Sequence, residues 1–282
     1  MKVLVIIVTY NGMKWLPKTL GSVSGYDVMV VDNGSTDGSA EWIRTNHPEV
    51  IMVESKENLG FGKANNMGLR HAVENGYDYV YLLNQDAWVF PETIPALVAA
   101  AEADNSFGII SPMQMTAGLD KLDWNFRRKC GKYLEAAGDL VPVRFVMAAH
   151  WLIPVRALKV IGGFSPAFPH YSEDNNYIHR ARYHGFNVGV LKTVKAVHDR
   201  EKRPDTKEKH MWRKFMTAVA GLVNPNRSFA FQAVMQPLSM IVFCVRYLTL
   251  LPLKYMFRLL KGMSGFKTLR RQSMVEGAFL NI

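Results

Sequence analysis

Cysteine is scarce in this sequence, with two residues among 282, Cys130 and Cys244. Two thiols support neither a disulfide framework nor a multi-cysteine metal site, and they suit a reducing compartment. A secretory leader is also missing from the reading. Lys2 is followed by six apolar residues, Val3 to Val8, which Thr9-Tyr10-Asn11-Gly12 cuts off. That run is too short for an h-region and has no cleavage-like site, so it is read as a first strand and the protein as cytoplasmic. No internal repeat and no low-complexity tract is visible. Acidic residues thin out at one end. Up to Asp199 there are 19 Lys and Arg against 20 Asp and Glu, but from Arg200 onward there are 15 against 4. The formal charge of +10 therefore belongs to the tail, net +11, and not to the body, net −1. Such asymmetry points to a tail that meets an anionic surface, either membrane or nucleic acid.

What is present is globular: 49% apolar and 21% charged residues, in a chain long enough for one large α/β domain with or without an appendage. Strands are expected at 3–9, 27–32, 50–53, 79–83 and 107–111, and helices at 14–23, 40–45, 58–75 and 93–104. Alternating strands and helices at this spacing imply a mostly parallel sheet with helices on both faces. Tyr79-Val80-Tyr81-Leu82-Leu83 runs straight into Asn84-Gln85-Asp86, so Asp86 stands where a buried strand stops and a site can begin. From about Met113 to Arg144 the regularity fails, which suggests an irregular insertion or lid. Helices at 157–161 and 175–184 and strands at 188–191 and 194–197 complete the body.

The tail, residues 201–282, has helical character at 206–223 and a Leu-, Met-, Phe- and Val-rich stretch at 229–262 with Arg246, Lys254, Arg258 and Lys261 set into it. Its longest uncharged run, 228–245, includes Gln232, Gln236 and Pro237. A single spanning helix needs about 20 predominantly apolar residues. Basic residues every few positions fit helices lying in a membrane interface better, with packing against the body as the alternative.

Several separated stretches carry a resemblance. Thr9-Tyr10-Asn11, Asp32-Asn33-Gly34-Ser35-Thr36-Asp37, Asn58-Leu59-Gly60-Phe61 with Asn66-Met67-Gly68, and Asn84-Gln85-Asp86 occur in that order. Gly162-Gly163-Phe164, Glu173-Asp174 and Val197-His198 follow. Over residues 1–200 this pattern resembles the family-2 glycosyltransferases of GT-A fold, in particular a rhamnosyltransferase-like branch of bacterial surface polysaccharide assembly. The resemblance implies a Rossmann-like GT-A catalytic domain at 1–200, followed by the basic amphipathic helical tail.

It also implies roles. Thr9, Tyr10, Asn11, Asp32, Asn58, Gly60, Asn66 and Asn84 would bind a nucleotide-diphosphate sugar. The residues themselves agree, since Asp32 at a strand end can accept hydrogen bonds from a base or ribose, and Gly60 lets the backbone approach closely. Asn84-Gln85-Asp86 is a degenerate form of the family's metal-binding Asp-x-Asp. Asp86 and His198 would hold a divalent ion, Mn²⁺ or Mg²⁺, on the diphosphate. Glu173-Asp174 matches the family's acidic pair, with Asp174 favoured as base and Glu173 as the alternative. Relatives often carry an aspartate where this chain has Asn176. Trp124, His150-Trp151 and Tyr171 are candidates to line an acceptor site. The implied reaction is inverting transfer to a glycan or lipid-linked acceptor hydroxyl, at the inner face of the cell membrane. A rival reading, a nucleotidyltransferase or nucleotide-sugar-binding protein on a similar sheet, predicts a glycine run after the first strand, which Thr9-Tyr10-Asn11-Gly12 lacks. A nucleic-acid-binding tail predicts basic residues among stacking aromatics on a polar surface, and this tail is too apolar.

Overall fold

The computed structural model describes residues 1–200 and 206–280. It opens with β1 (Val3–Thr9), α1 (Leu16–Gly21), β2 (Asp27–Asp32), α2 (Ser39–Asn46), β3 (Ile51–Glu54), α3 (Gly60–Glu74) and β4 (Tyr79–Asn84). These four strands pair in parallel in the order β3-β2-β1-β4. Their side chains alternate between two cores. Leu4, Ile6, Val80 and Leu82 face one, under Leu69 and Ala72 of α3. Val5, Ile7, Tyr81 and Leu83 face the other, under Leu16 and Leu20 of α1 and Ile43 of α2. Burial on both faces is why these strands read as unbroken apolar runs.

The chain continues through β5 (Ala87–Val89), α4 (Thr93–Ala103), β6 (Phe107–Met115), α5 (Trp124–Cys130), β7 (Leu140–Pro142), β8 (His150–Pro154), α6 (Val155–Ile161), α7 (Glu173–Tyr183) and β9 (Asn187–His198). The nine-stranded sheet runs β3-β2-β1-β4-β8-β6-β9-β5, with β7 beside β9. The parallel arrangement holds for the first four strands and for β6 with β9, while β8 is antiparallel to β4 and β6, and β5 and β7 are antiparallel to β9. The second half is therefore mixed. The two short strands expected at 188–191 and 194–197 are one, because a register shift between Pro112 and Met113 of β6 lets β9 run on.

Strand β8 is absent from the sequence reading, and its position revises two candidates. Trp151 is fully buried, stacked on Phe164 at 6.3 Å between centroids and against Tyr177 at 5.7 Å. His150 is equally buried in the middle of the sheet. Neither can line an acceptor site. Trp124, by contrast, is 68% exposed on α5.

The tail forms α8 (Lys207–Leu222), α9 (Phe229–Tyr247), α10 (Leu251–Lys261) and α11 (Met263–Gln272). Met211, Phe215, Val219, Met240, Tyr255 and Leu259 build a third core, into which Phe168 of the body inserts. Residues 277–280 then return to the body. Gly277 N donates to Val160 O at 3.0 Å, Gly163 N donates to Ala278 O at 2.9 Å, and Leu280 is buried in the first core. The change of charge near residue 200 is thus no break in packing.

Candidate active site

The carboxyl ends of β1, β2 and β4 lie side by side, with Thr9 opposite Asp32 and Val8 opposite Asn84. This is the edge where open α/β sheets collect ligands. Asp32, 2% exposed, accepts hydrogen bonds from Gly34 N at 3.1 Å, Ser35 N at 2.9 Å and the Ser35 hydroxyl. This side-chain-to-backbone turn fixes the loop after β2; Oδ2 accepts both backbone bonds, and Oδ1, which accepts the hydroxyl, retains a lone pair for a ligand. Asn11 ties the two loops together: its N donates to Ser35 Oγ at 2.9 Å and its Oδ1 accepts from Thr36 N at 2.8 Å. Tyr10 stands beside them, 48% exposed.

Gln85, which the sequence reading passes over between Asn84 and Asp86, does similar work for β1 and β4. Its Oε1 accepts from Thr9 Oγ1 at 2.9 Å and from Tyr10 N at 2.7 Å, while its backbone carbonyl accepts from Thr19 Oγ1 at 2.7 Å. Thr9 is fully buried, with its hydroxyl committed to this bond.

Two expected nucleotide contacts turn out to face protein. Gly60 has φ +77°, and a Cβ there would stand 2.3 Å from the Pro169 carbonyl oxygen, so the close approach it permits is to the 169 loop. Asn66 is buried and spends its amide on Phe164, accepting from Phe164 N at 2.6 Å and donating to Phe164 O at 2.8 Å. Both residues join the β2–α3 side of the site to the segment that leads into α7. Asn58 remains exposed and holds Gly60 N at 2.9 Å.

Asp86 and His198 do meet. Pairing of β5 with β9 sets Ala87 opposite His198 and leaves His198 Nε2 3.4 Å from Asp86 Oδ1. Burial pushes the Asp86 carboxyl up, but the hydrogen bond and charge of His198 outweigh it and hold the group below its ordinary range. Under His198 lies His150, edge-on at 6.4 Å. His150 Nε2 is 2.9 Å from Val197 O, which can only accept, so Nε2 carries the proton and Nδ1 accepts from the Tyr81 hydroxyl at 2.9 Å. Burial, with the charge of His198 adding to it, pushes His150 down to about 3, so the ring stays neutral. It braces the end of β9 from beneath.

Two such groups 3.4 Å apart are spaced as neighbouring ligands of one small hard cation would be, at about 3 Å when bonds are ~2.1 Å. An ion held by them would need phosphate oxygens and water to complete its shell. Among the described residues there is no cluster of three or more His, Cys, Asp or Glu for it.

Glu173 and Asp174 open α7 after Tyr171 and Ser172, two non-glycine residues with φ of +74° and +66°. Consecutive left-handed residues are costly and cluster at functional sites. The pair lines a cleft of about 220 Å³ with Tyr171, Ser172, Asn175, Arg213 and Thr217. Burial raises both carboxyls, and Asp174 raises Glu173 further. Asp174 Oδ1 is anchored by Asn175 N at 2.7 Å, whereas Glu173 Oε2 is buried and has no hydrogen-bond partner among the described residues. Lys129 of α5 and Arg200 both lower the Asp174 carboxyl, and Arg200 also lowers that of Asp86, so one cation bears on both carboxylates. Arg200 is held by Asp123, the N-cap of α5, at 3.1 Å. The irregular insertion thereby reaches the site. Asn176 is fully buried with neither amide atom bonded among the described residues, and a carboxylate there would add a buried charge to those of Glu173 and Asp174.

Arg213 and Thr217 come from α8, in the tail, and the sequence carries no local signal for them. Ser172 Oγ sits 3.4 Å from Thr217 Oγ1, and the Arg213 guanidinium lies 5.7 Å from the Tyr171 ring.

A sheet whose first four strands end in a cluster of polar loops, with a half-buried acidic pair opening α7, is the α/β architecture of GT-A type, and the comparisons with known proteins agree. The model of glycosyl transferase family 2 matches residues 4–162, more than half of the chain, and the protein belongs to that family. An undecaprenyl-phosphate mannosyltransferase of Micrococcus luteus is 34% identical over 149 residues, covering 50% of this chain and 59% of that protein. An N-acetylglucosaminyl-diphospho-decaprenol L-rhamnosyltransferase of Mycobacterium tuberculosis is 30% identical over 122 residues, covering 39% and 40%. The chain thus spans well under two thirds of either relative. The crystal structure of Staphylococcus aureus TarS 1–349 in complex with UDP-GlcNAc superposes with a TM-score of 0.64 at 16% identity, covering 98% of this chain and 84% of that one, which establishes the shared α/β fold.

Proposed function

We propose that this protein is an inverting glycosyltransferase that moves a sugar from a nucleotide-diphosphate sugar to a hydroxyl of a glycan or lipid-linked acceptor in cell-surface polysaccharide synthesis. The observation that carries this reading is the half-buried acidic pair lining its own cleft, with Arg200 bearing on both Asp174 and Asp86. An acceptor phosphate is already ionised and would be repelled by two carboxylates. A hydroxyl acceptor needs a proton taken from it, and a carboxylate raised by burial is suited to that.

In the reaction the acceptor oxygen forms a bond to C1 of the sugar as the bond from C1 to the phosphate oxygen breaks. The nucleoside diphosphate leaves with the electron pair, and the acceptor proton passes to Asp174, whose Oδ1 Asn175 holds in place. Glu173 beside it disfavours a second negative charge. Tyr10, Asn11, Asp32 and Asn58 hold the nucleotide at the ends of β1 and β2. Thr9, Gln85, Gly60 and Asn66 keep the loops in register, and Asn84 precedes Asp86 at the end of β4. Asp86 and His198 would hold Mn²⁺ or Mg²⁺, which supplies positive charge to the diphosphate.

The names of the mannosyltransferase and rhamnosyltransferase relatives specify polyprenyl-linked substrates, which supports an acceptor presented at a membrane. Helix α9, 19 residues with mean hydropathy 1.4, is long and apolar enough to cross one, but Pro237 interrupts it. Tail helices lying on the cytoplasmic face serve the same end. A screen of nucleotide-diphosphate sugars with Mn²⁺ tests the donor half. At least one should release its nucleoside diphosphate, and chelator or Asp86→Ala should suppress the release. Chelator-resistant turnover in both proteins would remove the metal role.

A further inference from the structure

Helices α8 and α10 form a second, open cleft of about 400 Å³, which shares no lining residue with the cleft of the acidic pair. It is lined by Thr206, Glu208, Lys209, Trp212, Lys254, Tyr255 and Arg258. Three cations and one carboxylate converge there. Arg258 lies over two aromatic faces, 5.6 Å from Trp212 and 5.3 Å from Phe215, and the Lys254 ammonium is 6.0 Å from the Tyr255 ring. None of the three cations is in an ion pair among the described residues. Positive side chains in excess of the carboxylate beside them attract an anion.

The surroundings say which kind. Between Glu208 and Glu276 the sequence contains no Asp or Glu, so positive charge outweighs negative around the cleft, where Glu208 stands against Lys209, Lys254 and Arg258. On α10 itself Phe257 and Leu260 are 56% and 48% exposed, and along α9 Phe231, Val234, Val242 and Val245 are between 59% and 74% exposed. Monomeric proteins seldom leave so continuous an apolar face in water. Phosphate beside hydrocarbon, with a partly buried Trp at the boundary, is the chemistry of a lipid head group.

We propose that the α8–α10 cleft binds the phosphodiester head group of an anionic phospholipid, seating the apolar faces of α9 and α10 in the adjoining acyl region. Lys209, Lys254 and Arg258 contact the phosphate, Trp212 marks the interface level above the buried Tyr255 ring, and Glu208 limits the affinity. The membrane reading above is thereby given a site, and the proposal rests on that reading for its biological sense alone, because lipid binding is measured without any transfer.

Sedimentation of the full chain with three vesicle preparations tests it: phosphatidylcholine, phosphatidylcholine with phosphatidylglycerol, and phosphatidylcholine with a polyprenyl phosphate. The protein should partition onto the phosphatidylglycerol vesicles. A triple variant, Lys209→Gln, Lys254→Gln and Arg258→Gln, should lose about 100-fold in partitioning, at roughly fivefold per charge. A control triple of equal charge, Lys261→Gln, Lys267→Gln and Arg271→Gln, should lose about tenfold or less. Glu208→Gln should gain severalfold, an outcome that misfolding cannot mimic. Equal losses in the two triples would reduce the effect to diffuse attraction and overturn the site. Recruitment by polyprenyl phosphate alone would assign the cleft to an acceptor's phosphate and overturn the phospholipid claim. Donor hydrolysis should be unchanged in both triples, which separates a failure here from a failure of the enzyme reading.

Discussion

At Asp174 two demands meet. A base must be ionised to accept a proton, yet burial in the cleft raises its carboxyl, and Glu173 is raised further by the neighbouring charge. The pair therefore holds on to protons above the ordinary carboxylate range of about 4. The acid limb of kcat/KM should accordingly lie above that range, with activity rising as pH rises through the raised value. Asp174→Asn should lower turnover by about 10²-fold or more while leaving donor affinity close to wild type, as equilibrium binding of the nucleotide would show. A large loss in Glu173→Gln with a small one in Asp174→Asn would exchange the two roles. Stability carries its own sign. A carboxyl whose folded value is raised stabilises the fold at low pH, and that contribution is lost as pH rises through the folded value. Glu173→Gln removes the buried charge, so its Tm should exceed wild type at pH 8 and match it near pH 5. A gain of about 1 kcal/mol corresponds to roughly 2–4 °C in a domain of this size. Thermal scans at the two pH values check it, and a lower Tm at pH 8 would contradict the cause assigned to the shift.

At the scale of elements, the turn after α6 joins catalytic body and tail. Gly162 has φ +83°, and a Cβ there would stand 2.0 Å from the Ala278 carbonyl oxygen. Arg180 of α7, fully buried, donates to Ile161 O at 2.6 Å and to Gly163 O, and lies 5.1 Å from the Phe279 ring. The helix that begins with the acidic pair is therefore braced by residues 161–163 and by 277–280 together. Gly162→Ala should cost about 1–3 kcal/mol in backbone strain before any clash, a fall in Tm of several degrees, with the loss of activity following the loss of fold. An unchanged Tm would show that the return segment does not bear on the turn. Sequence patterning reads this region only partly. Gly162-Gly163 is visible as a tight turn, but its partner lies more than a hundred residues on, and no local pattern records so distant a contact. The first four strands are legible because both faces are buried and their apolar runs are continuous. Strand β8 is not, since its five residues end in Pro154 and include His150, whose polarity is satisfied only by Tyr81 and Val197 from other strands. The site follows the same rule. Asp86 and His198 show at strand ends, while Gln85, Arg200 and Arg213 take their meaning from contacts between elements.

On the scale of the whole molecule, a nearly neutral α/β body carries a strongly basic helical tail that also walls the cleft of the acidic pair through Arg213 and Thr217. In the function proposed above, one assembly combines donor binding, proton removal and a surface suited to a membrane. The most direct test of that account is mass-spectrometric detection of glycosylated acceptor, made with the full chain, its preferred nucleotide-diphosphate sugar, Mn²⁺ and a polyprenyl-linked glycan in phosphatidylglycerol vesicles. The account predicts a product one sugar heavier, formed by wild type and reduced by about 10²-fold or more in Asp174→Asn. Release of nucleoside diphosphate without any glycosylated acceptor, or equal product from wild type and Asp174→Asn, would contradict it.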